Sequence, residues 1–260
     1  MATIAITGAA GAVGSAIRPI MSKHTVSLTD RVALPTPLAA NESFSQFEIG
    51  ERQNLAALFK GADLVVHLAG IIESRPLPEL IETNVLGVHA VFEAALSAGV
   101  HRVLYASTNH VVGFTPTVEA TTTGSLLARP DGTYGASKAM GEAIASLYAD
   151  YHGLTAVSAR ILTFLPKPKA MRHLATWLSP QDFVRLIEAV SILDRPGHHV
   201  LWGISRNTRR WASLVEGEAI GYHPQDDAET HAAEVQSGDA DADARSLAWV
   251  GGRQPPRIAF

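Results

Sequence analysis

The chain has 260 residues, 47% of them hydrophobic and 18% charged, with a formal net charge of −4; it is long enough to bury a large core, and too ordinary in composition for wholesale disorder or a nucleic-acid-binding charge surplus. With no cysteine, a disulfide framework, a thiolate nucleophile and a Cys-ligated metal are excluded, no metal site is expected, and the composition suits a reducing cytosol. There is neither a basic-then-apolar leader nor a run of 18 apolar residues, so the expectation is a soluble, cytoplasmic protein with no membrane contact.

Ala2 to Thr7 is a short run of β-branched and apolar residues, the signature of a strand buried in a parallel sheet. Gly8 to Gly14 reads GAAGAVG, and a helical pattern then runs to about Met21. Pro19 falls inside that helix, where it costs about 3 kcal/mol, so the helix either ends early or kinks. Thr25 to Thr29 is a second strand closing on Asp30. Asp63 to Leu68, Arg102 to Ser107 and Thr155 to Leu162 read as further strands, and Glu79 to Ala98 and Tyr134 to Tyr151 as helices. Strands alternating with helices predict an α/β fold, a Rossmann-type doubly wound parallel sheet. Pro166 and Pro168 then interrupt the alternation; Pro180 to Leu193 resembles a capped helix and Val200 to Ile204 a strand. The expected organisation is a dinucleotide-binding domain over residues 1–165, and a small C-terminal substrate-binding lobe over 166–260 that does not fold by itself. From Asp226 to Asp243 there are seven acidic residues and no Lys or Arg, which leaves +3 on the rest of the chain; the stretch reads as a solvated surface segment.

Gly8, Gly11 and Gly14 follow a GxxGxxG spacing directly after a buried strand and at the start of a helix. Glycines there allow a tight turn, let backbone N–H groups approach a pyrophosphate and let the helix pack closely on the sheet, while the helix N-terminus contributes partial positive charge. Asp30, 22 residues after Gly8, is placed to accept hydrogen bonds from ribose hydroxyls and to repel a 2′-phosphate, which favours NAD over NADP; Arg31 beside it keeps NADP open.

Tyr134 and Lys138 are four residues apart and share one helix face. A tyrosine pKa near 10 makes a poor base at neutral pH, and bringing it down to about 7 takes roughly 4 kcal/mol of preferential phenolate stabilisation. A nearby ammonium, aided by the positive charge of oxidised nicotinamide, supplies such stabilisation. Thr108 lies at the C-terminal end of a predicted strand, the end that faces the ligand crevice in an open α/β sheet, where its hydroxyl can hydrogen-bond a substrate oxygen.

TGAAGAVG at Thr7 to Gly14, HLAG at His67 to Gly70, Asn84, ASTNHVVG at Ala106 to Gly113 and YGASK at Tyr134 to Lys138 together resemble the extended short-chain dehydrogenase/reductases. Within that superfamily the chain is similar to the uronate dehydrogenases, through STNH at Ser107 to His110, RPDGTYGASK at Arg129 to Lys138, Arg172 to Val190, VLWGIS at Val200 to Ser205 and GYHPQDDAE at Gly221 to Glu229. The resemblance implies an enzyme that oxidises glucuronate or galacturonate at the anomeric carbon to an aldarolactone with NAD, and a homo-oligomer. It makes Tyr134 the general base, Lys138 the residue that binds the nicotinamide ribose and lowers the tyrosine pKa, and Thr108 the orienting hydroxyl. Asn109, His110 and Thr163 match sugar-contacting positions, and Arg172 an arginine whose planar guanidinium grips the substrate carboxylate. Cofactor contacts fall on Gly8, Gly11, Ala12, Val13, Gly14, Asp30, Glu48, Ile49, Leu68, Ala69, Gly70, Ser107, Tyr134 and Lys138.

Three residues depart from the family pattern. Ile72 stands where a serine touches both cofactor and sugar, Glu48 replaces an aspartate near the adenine, and Phe164 fills a place usually given to a small residue. An apolar Ile72 leaves a sugar hydroxyl without a partner, at about 1 to 3 kcal/mol. The alternatives are another sugar dehydrogenase, a nucleotide-sugar epimerase or dehydratase, and a dinucleotide-sensing protein without catalysis. No basic stripe with interleaved aromatics points to nucleic acid.

Overall fold

Seven parallel strands form one sheet in the order β3-β2-β1-β4-β5-β6-β9. They are β1 (Thr3–Thr7), β2 (Thr25–Asp30), β3 (Glu42–Gln46), β4 (Leu64–His67), β5 (Arg102–Thr108), β6 (Thr155–Ile161) and β9 (Gly197–Gly203). A two-strand parallel pair, β7 (Thr163–Phe164) with β8 (Trp177–Leu178), stands apart. The computed structural model describes residues 1–73, 75–121, 123, 126–235 and 240–252. No described helix is long and apolar enough to cross a membrane.

Because side chains alternate along a strand, each strand feeds two cores. Ile4, Ile6, Leu64, Val66 and Leu104 go to one face with Ile17 of α1 (Ala12–Ile17) and with Phe183, Leu186 and Ile187 of α7 (Pro180–Ser191). Ala5, Val65 and Val103 go to the other, under α2 (Arg52–Phe59), α4 (Gly87–Ser97) and α5 (Thr133–His152). Both cores are made of buried aliphatic and aromatic side chains, so the sheet is a rigid plate from whose carboxyl edge the functional residues project.

Pro19 acts as the sequence requires: α1 stops at Ile17 and Arg18–Ile20 continue as a 3-10 turn, in whose first positions a missing N–H costs little. The long helix expected over Glu79 to Ala98 is interrupted, as α3 (Leu77–Ile81), a π-helical turn over Glu82–Leu86, and α4. The sheet runs on past the boundary expected at residue 165. The last strand, β9, pairs with β6 from Thr155↔Gly197 to Ile161↔Gly203, and α7 covers the first face. Ser179 caps α7 by accepting the Asp182 N–H, with Pro180 in its first turn. What lies outside the sheet is smaller: α6 (His173–Thr176), the β7-β8 pair, α8 (Val215–Glu218) and α9 (Ala240–Ala248).

Strand order reverses at β1, with β2 and β3 to one side and β4 onward to the other. In an open α/β sheet the crevice beyond the carboxyl ends at such a reversal is where ligands bind.

Candidate active site

A cavity of about 250 Å³ opens at this reversal. Its walls include Gly8, Gly11, Asp30, Glu48, Ile49, Leu68, Ala69 and Gly70, all expected from sequence, and Arg31, which the sequence placed beside the cofactor ribose, together with Val32, Phe47, Ile71 and Thr83, which were not expected. Gly8 has φ +76°, and a Cβ there would lie 2.5 Å from the Ala69 nitrogen, so only glycine lets β1 turn while β4 runs this close. Asp30 accepts hydrogen bonds from the Ala10 N–H at 2.9 Å and the Val32 N–H at 3.2 Å. It is thereby fixed at the cavity wall, and its carboxylate keeps further lone pairs for hydroxyl donors. A narrow glycine-walled cradle with a pinned carboxylate at one end fits the diphosphate and adenosine ribose of a dinucleotide. Ala12, Val13 and Gly14 form the first turn of α1 behind the cradle rather than its wall.

The second half of the site begins where β5 ends. A Cβ on Gly135 would lie 2.2 Å from the His110 carbonyl oxygen, so glycine lets the first turn of α5 press against the end of β5. Tyr134 is thereby brought toward Thr108, whose hydroxyl donates to Asn109 Oδ1 at 3.3 Å and accepts the His110 N–H at 3.3 Å. Burial pushes the Tyr134 phenol up to about 12, and the nearby Thr108 hydroxyl pulls the other way. Lys138 is buried with its Nζ 4.3 Å from the centre of the Tyr105 ring. Burial drives its ammonium down to about 7, opposed by the charge of Glu142. The causes acting on the Tyr134 phenol here are its burial and the Thr108 hydroxyl, while Lys138, desolvated over an aromatic ring, is itself held near its titration point.

Asn84, in the π-helical turn, fastens the two halves together. Its Oδ1 accepts the Ile71 N–H at 2.8 Å, and its Nδ2 donates to the Ile71 carbonyl at 2.9 Å and to Ser137 at 3.0 Å. No role was expected for Asn84 from the sequence, although a buried asparagine in a helical stretch is itself a signal, since its amide needs partners.

Of the residues expected to touch the sugar, Asn109, His110, Thr163 and Arg172 already have partners within the protein. His110 has its ring centre 6.1 Å from that of Tyr134 and its Nδ1 2.9 Å from both Asp131 carboxylate oxygens. Asn109 donates to the Val250 carbonyl at 2.7 Å. Arg172 donates through Nη1 to the Ser246 and Trp249 carbonyls and through Nη2 to that of Val250. Three of its five N–H donors thus hold the last turn of α9 and the segment after it, and Nε–H with the second Nη2–H form its remaining edge. Burial lowers the Arg172 pKa to about 10, with Asp131 opposing. Thr163 pairs with Thr176 at 2.9 Å. Ile72 is 75% exposed, and Phe164 packs edge-on against Phe183 at 5.9 Å. Ser107 points to Glu142 at 2.6 Å, and Glu142 pairs in turn with Arg160, so this hydroxyl serves the core behind the site.

Residues 4–187 match the model of the NAD dependent epimerase/dehydratase family. The chain is 34% identical to a uronate dehydrogenase of Pseudomonas syringae pv. tomato, over 92% of this chain and 87% of that protein. It is 35% identical to an L-arabinose 1-dehydrogenase (NAD(P)(+)) of Haloferax volcanii, over 88% of this chain and 99% of that one. The crystal structure of a uronate dehydrogenase mutant from Agrobacterium tumefaciens, complexed with NAD, superimposes with a TM-score of 0.86 at 32% identity, covering 97% of this chain and 96% of that chain. A family match across well over half the chain, joined to likeness along nearly all of it with uronate and sugar dehydrogenases, makes the protein a member of the NAD dependent epimerase/dehydratase family and an NAD-dependent oxidoreductase of the sugar-dehydrogenase type.

Proposed function

We propose that the protein oxidises a free uronic acid, glucuronate or galacturonate, at the anomeric carbon to an aldarolactone, with NAD as acceptor. The observation that carries the reading is the placing of Tyr134, at the start of α5, against the carboxyl end of β5 through the close approach of Gly135 to the His110 carbonyl, in a fold whose glycine-walled cavity is bounded by Asp30. When bound, oxidised NAD supplies the hydride acceptor and a positive charge. Gly8, Gly11 and Asp30 hold its phosphates and ribose, and Lys138 its second ribose. Thr108 orients the anomeric hydroxyl, and Tyr134 takes its proton. With the phenol pushed up to about 12 in the free protein, that transfer requires positive charge beside Tyr134, so proton acceptance is coupled to cofactor occupancy. The free edge of Arg172 is suited to grip the sugar carboxylate side-on. A homo-oligomer belongs to the same proposal.

A neutral aldose is the second reading. Ile72, apolar and exposed where the family pattern has serine, together with the three Arg172 donors held by backbone carbonyls, favours it. The test is the appearance of reduced nicotinamide absorbance with NAD and, separately, glucuronate, galacturonate, arabinose or glucose. Turnover of the uronates is expected; turnover of neutral sugars alone assigns the second reading.

A further inference from the structure

Asp131 is a carboxylate with 4% side-chain exposure placed where nothing in the proposed chemistry uses it. It sits in a slot made for it. A Cβ on Gly113 would fall 2.2 Å from its Cγ, and one on Gly251 would fall 1.9 Å from its Oδ2. Two backbones, one following β5 and the other following α9, thus come close enough to wall the carboxylate only because both carry glycine. The surrounding chain is pinned: Arg129 N–H donates to the Val111 carbonyl at 2.9 Å, Phe114 N–H to that of Arg129 at 3.0 Å, and Gly251 N–H to that of Gly113 at 2.9 Å. From this slot both oxygens meet a single atom, His110 Nδ1, at 2.9 Å. The charge of Asp131 also acts on Arg172, and the Tyr134 ring stands edge-on to the imidazole with centroids 6.1 Å apart.

An ionised carboxylate only accepts hydrogen bonds, so Nδ1 must be the nitrogen that carries the proton. In the neutral ring Nε2 is then left with a lone pair. We propose that Asp131 is a positioning residue that holds His110 in the Nδ1–H tautomer, so that Nε2 is presented beside Tyr134 as an acceptor for a sugar hydroxyl. The hydroxyl as its partner rests on the sugar-dehydrogenase reading; the tautomer does not. A hydroxyl donates to such a nitrogen and a carboxylate cannot, so His110 and Arg172 divide the sugar between them: the histidine reads a hydroxyl and the arginine the acid.

The experiment is a long-range proton–nitrogen correlation spectrum of the imidazole rings of the full-length protein at mildly alkaline pH, with His110 assigned by comparison with His110→Gln. A protonated Nδ1 and an unprotonated Nε2 in the wild-type chain are expected, and Asp131→Asn, whose amide can donate to Nδ1, should shift the ring toward Nε2–H. The same variant should raise KM for the sugar about tenfold, the loss of one hydrogen bond, with KM for NAD unchanged. A wild-type ring that reads as Nε2–H or as doubly protonated overturns the proposal without recourse to any variant. A shifted tautomer with an unchanged sugar KM overturns the hydroxyl-reading role. Failure of the substrate reading shows separately, as a wild-type enzyme inert toward every sugar, and the wild-type spectrum still decides the tautomer.

Discussion

The cavity beside β1 and β2 is shaped by glycines at strand ends and by Asp30, whose carboxylate is fixed through two N–H groups. The ground beyond β5 is lined by side chains that already bond elsewhere in the protein: Asn109 and Arg172 to the segment after α9, His110 to Asp131. The first half is a mould whose shape follows from strand ends, and such a shape suits any dinucleotide. The second is a set of hydrogen-bonding groups whose aim depends on residues far away in the chain, so specificity there is set by how the C-terminal segment seats.

If the two halves are as separable as this, variants should sort cleanly. Tyr134→Phe should lower kcat at least about a thousandfold while NAD affinity, measured by calorimetry, stays within a few-fold; equal losses in both would show that the halves are one unit. Gly8→Val should do the reverse, weakening NAD binding more than about a hundredfold, because its side chain would meet the Ala69 backbone from a left-handed conformation. Intact NAD binding in a folded Gly8→Val protein would remove the cradle from this position. Arg172→Ala should raise KM for uronates about fiftyfold and for neutral sugars only a few-fold; the difference between substrates is the readout, since both lose the anchoring of the segment after α9. A smaller effect concerns stability. Lys138 titrates near 7 in the folded chain, below its ordinary 10.5, so between those values the unfolded chain binds more protons. Its contribution is fully present above about 10.5 and is lost as the pH falls through 7. The Tm of the cofactor-free protein should therefore climb between about pH 7 and about pH 9, and Lys138→Met should flatten that climb.

The mould was the legible half. Alternating buried residues in β1, glycines directly after them and an acid closing β2 obey local rules, and the structure places Gly8, Gly11 and Asp30 around one cavity. The strand β3 escaped because it is a polar edge strand, Glu-Ser-Phe-Ser-Gln, without an apolar run to mark it, and Phe47 of the cavity wall was missed with it. The aim of the second half was illegible for another reason. Asn109 and Arg172 donate to backbone carbonyls 141 and 74 to 78 residues away, and a carbonyl is present at every position, so nothing in the sequence singles out the partner. Asp131 was visible only as one letter of a motif; the slot that holds it needs Gly113 and Gly251 side by side, and they meet only once the chain has folded.

The π-helical turn at Glu82–Leu86 carries a consequence for how this chain tolerates changes in length. A wide turn holds one residue more than a regular helix needs. Deleting a single residue just before Asn84 would let α3 and α4 merge into a continuous, better-bonded helix, and would swing the asparagine about 100° around its axis, away from Ile71 and Ser137. The helix would gain regularity while the loop at Ile71 and the start of α5 came unlatched from each other. At this position the sequence is more exposed to a one-residue gap than to almost any substitution, and the irregularity is what the neighbouring loop depends on.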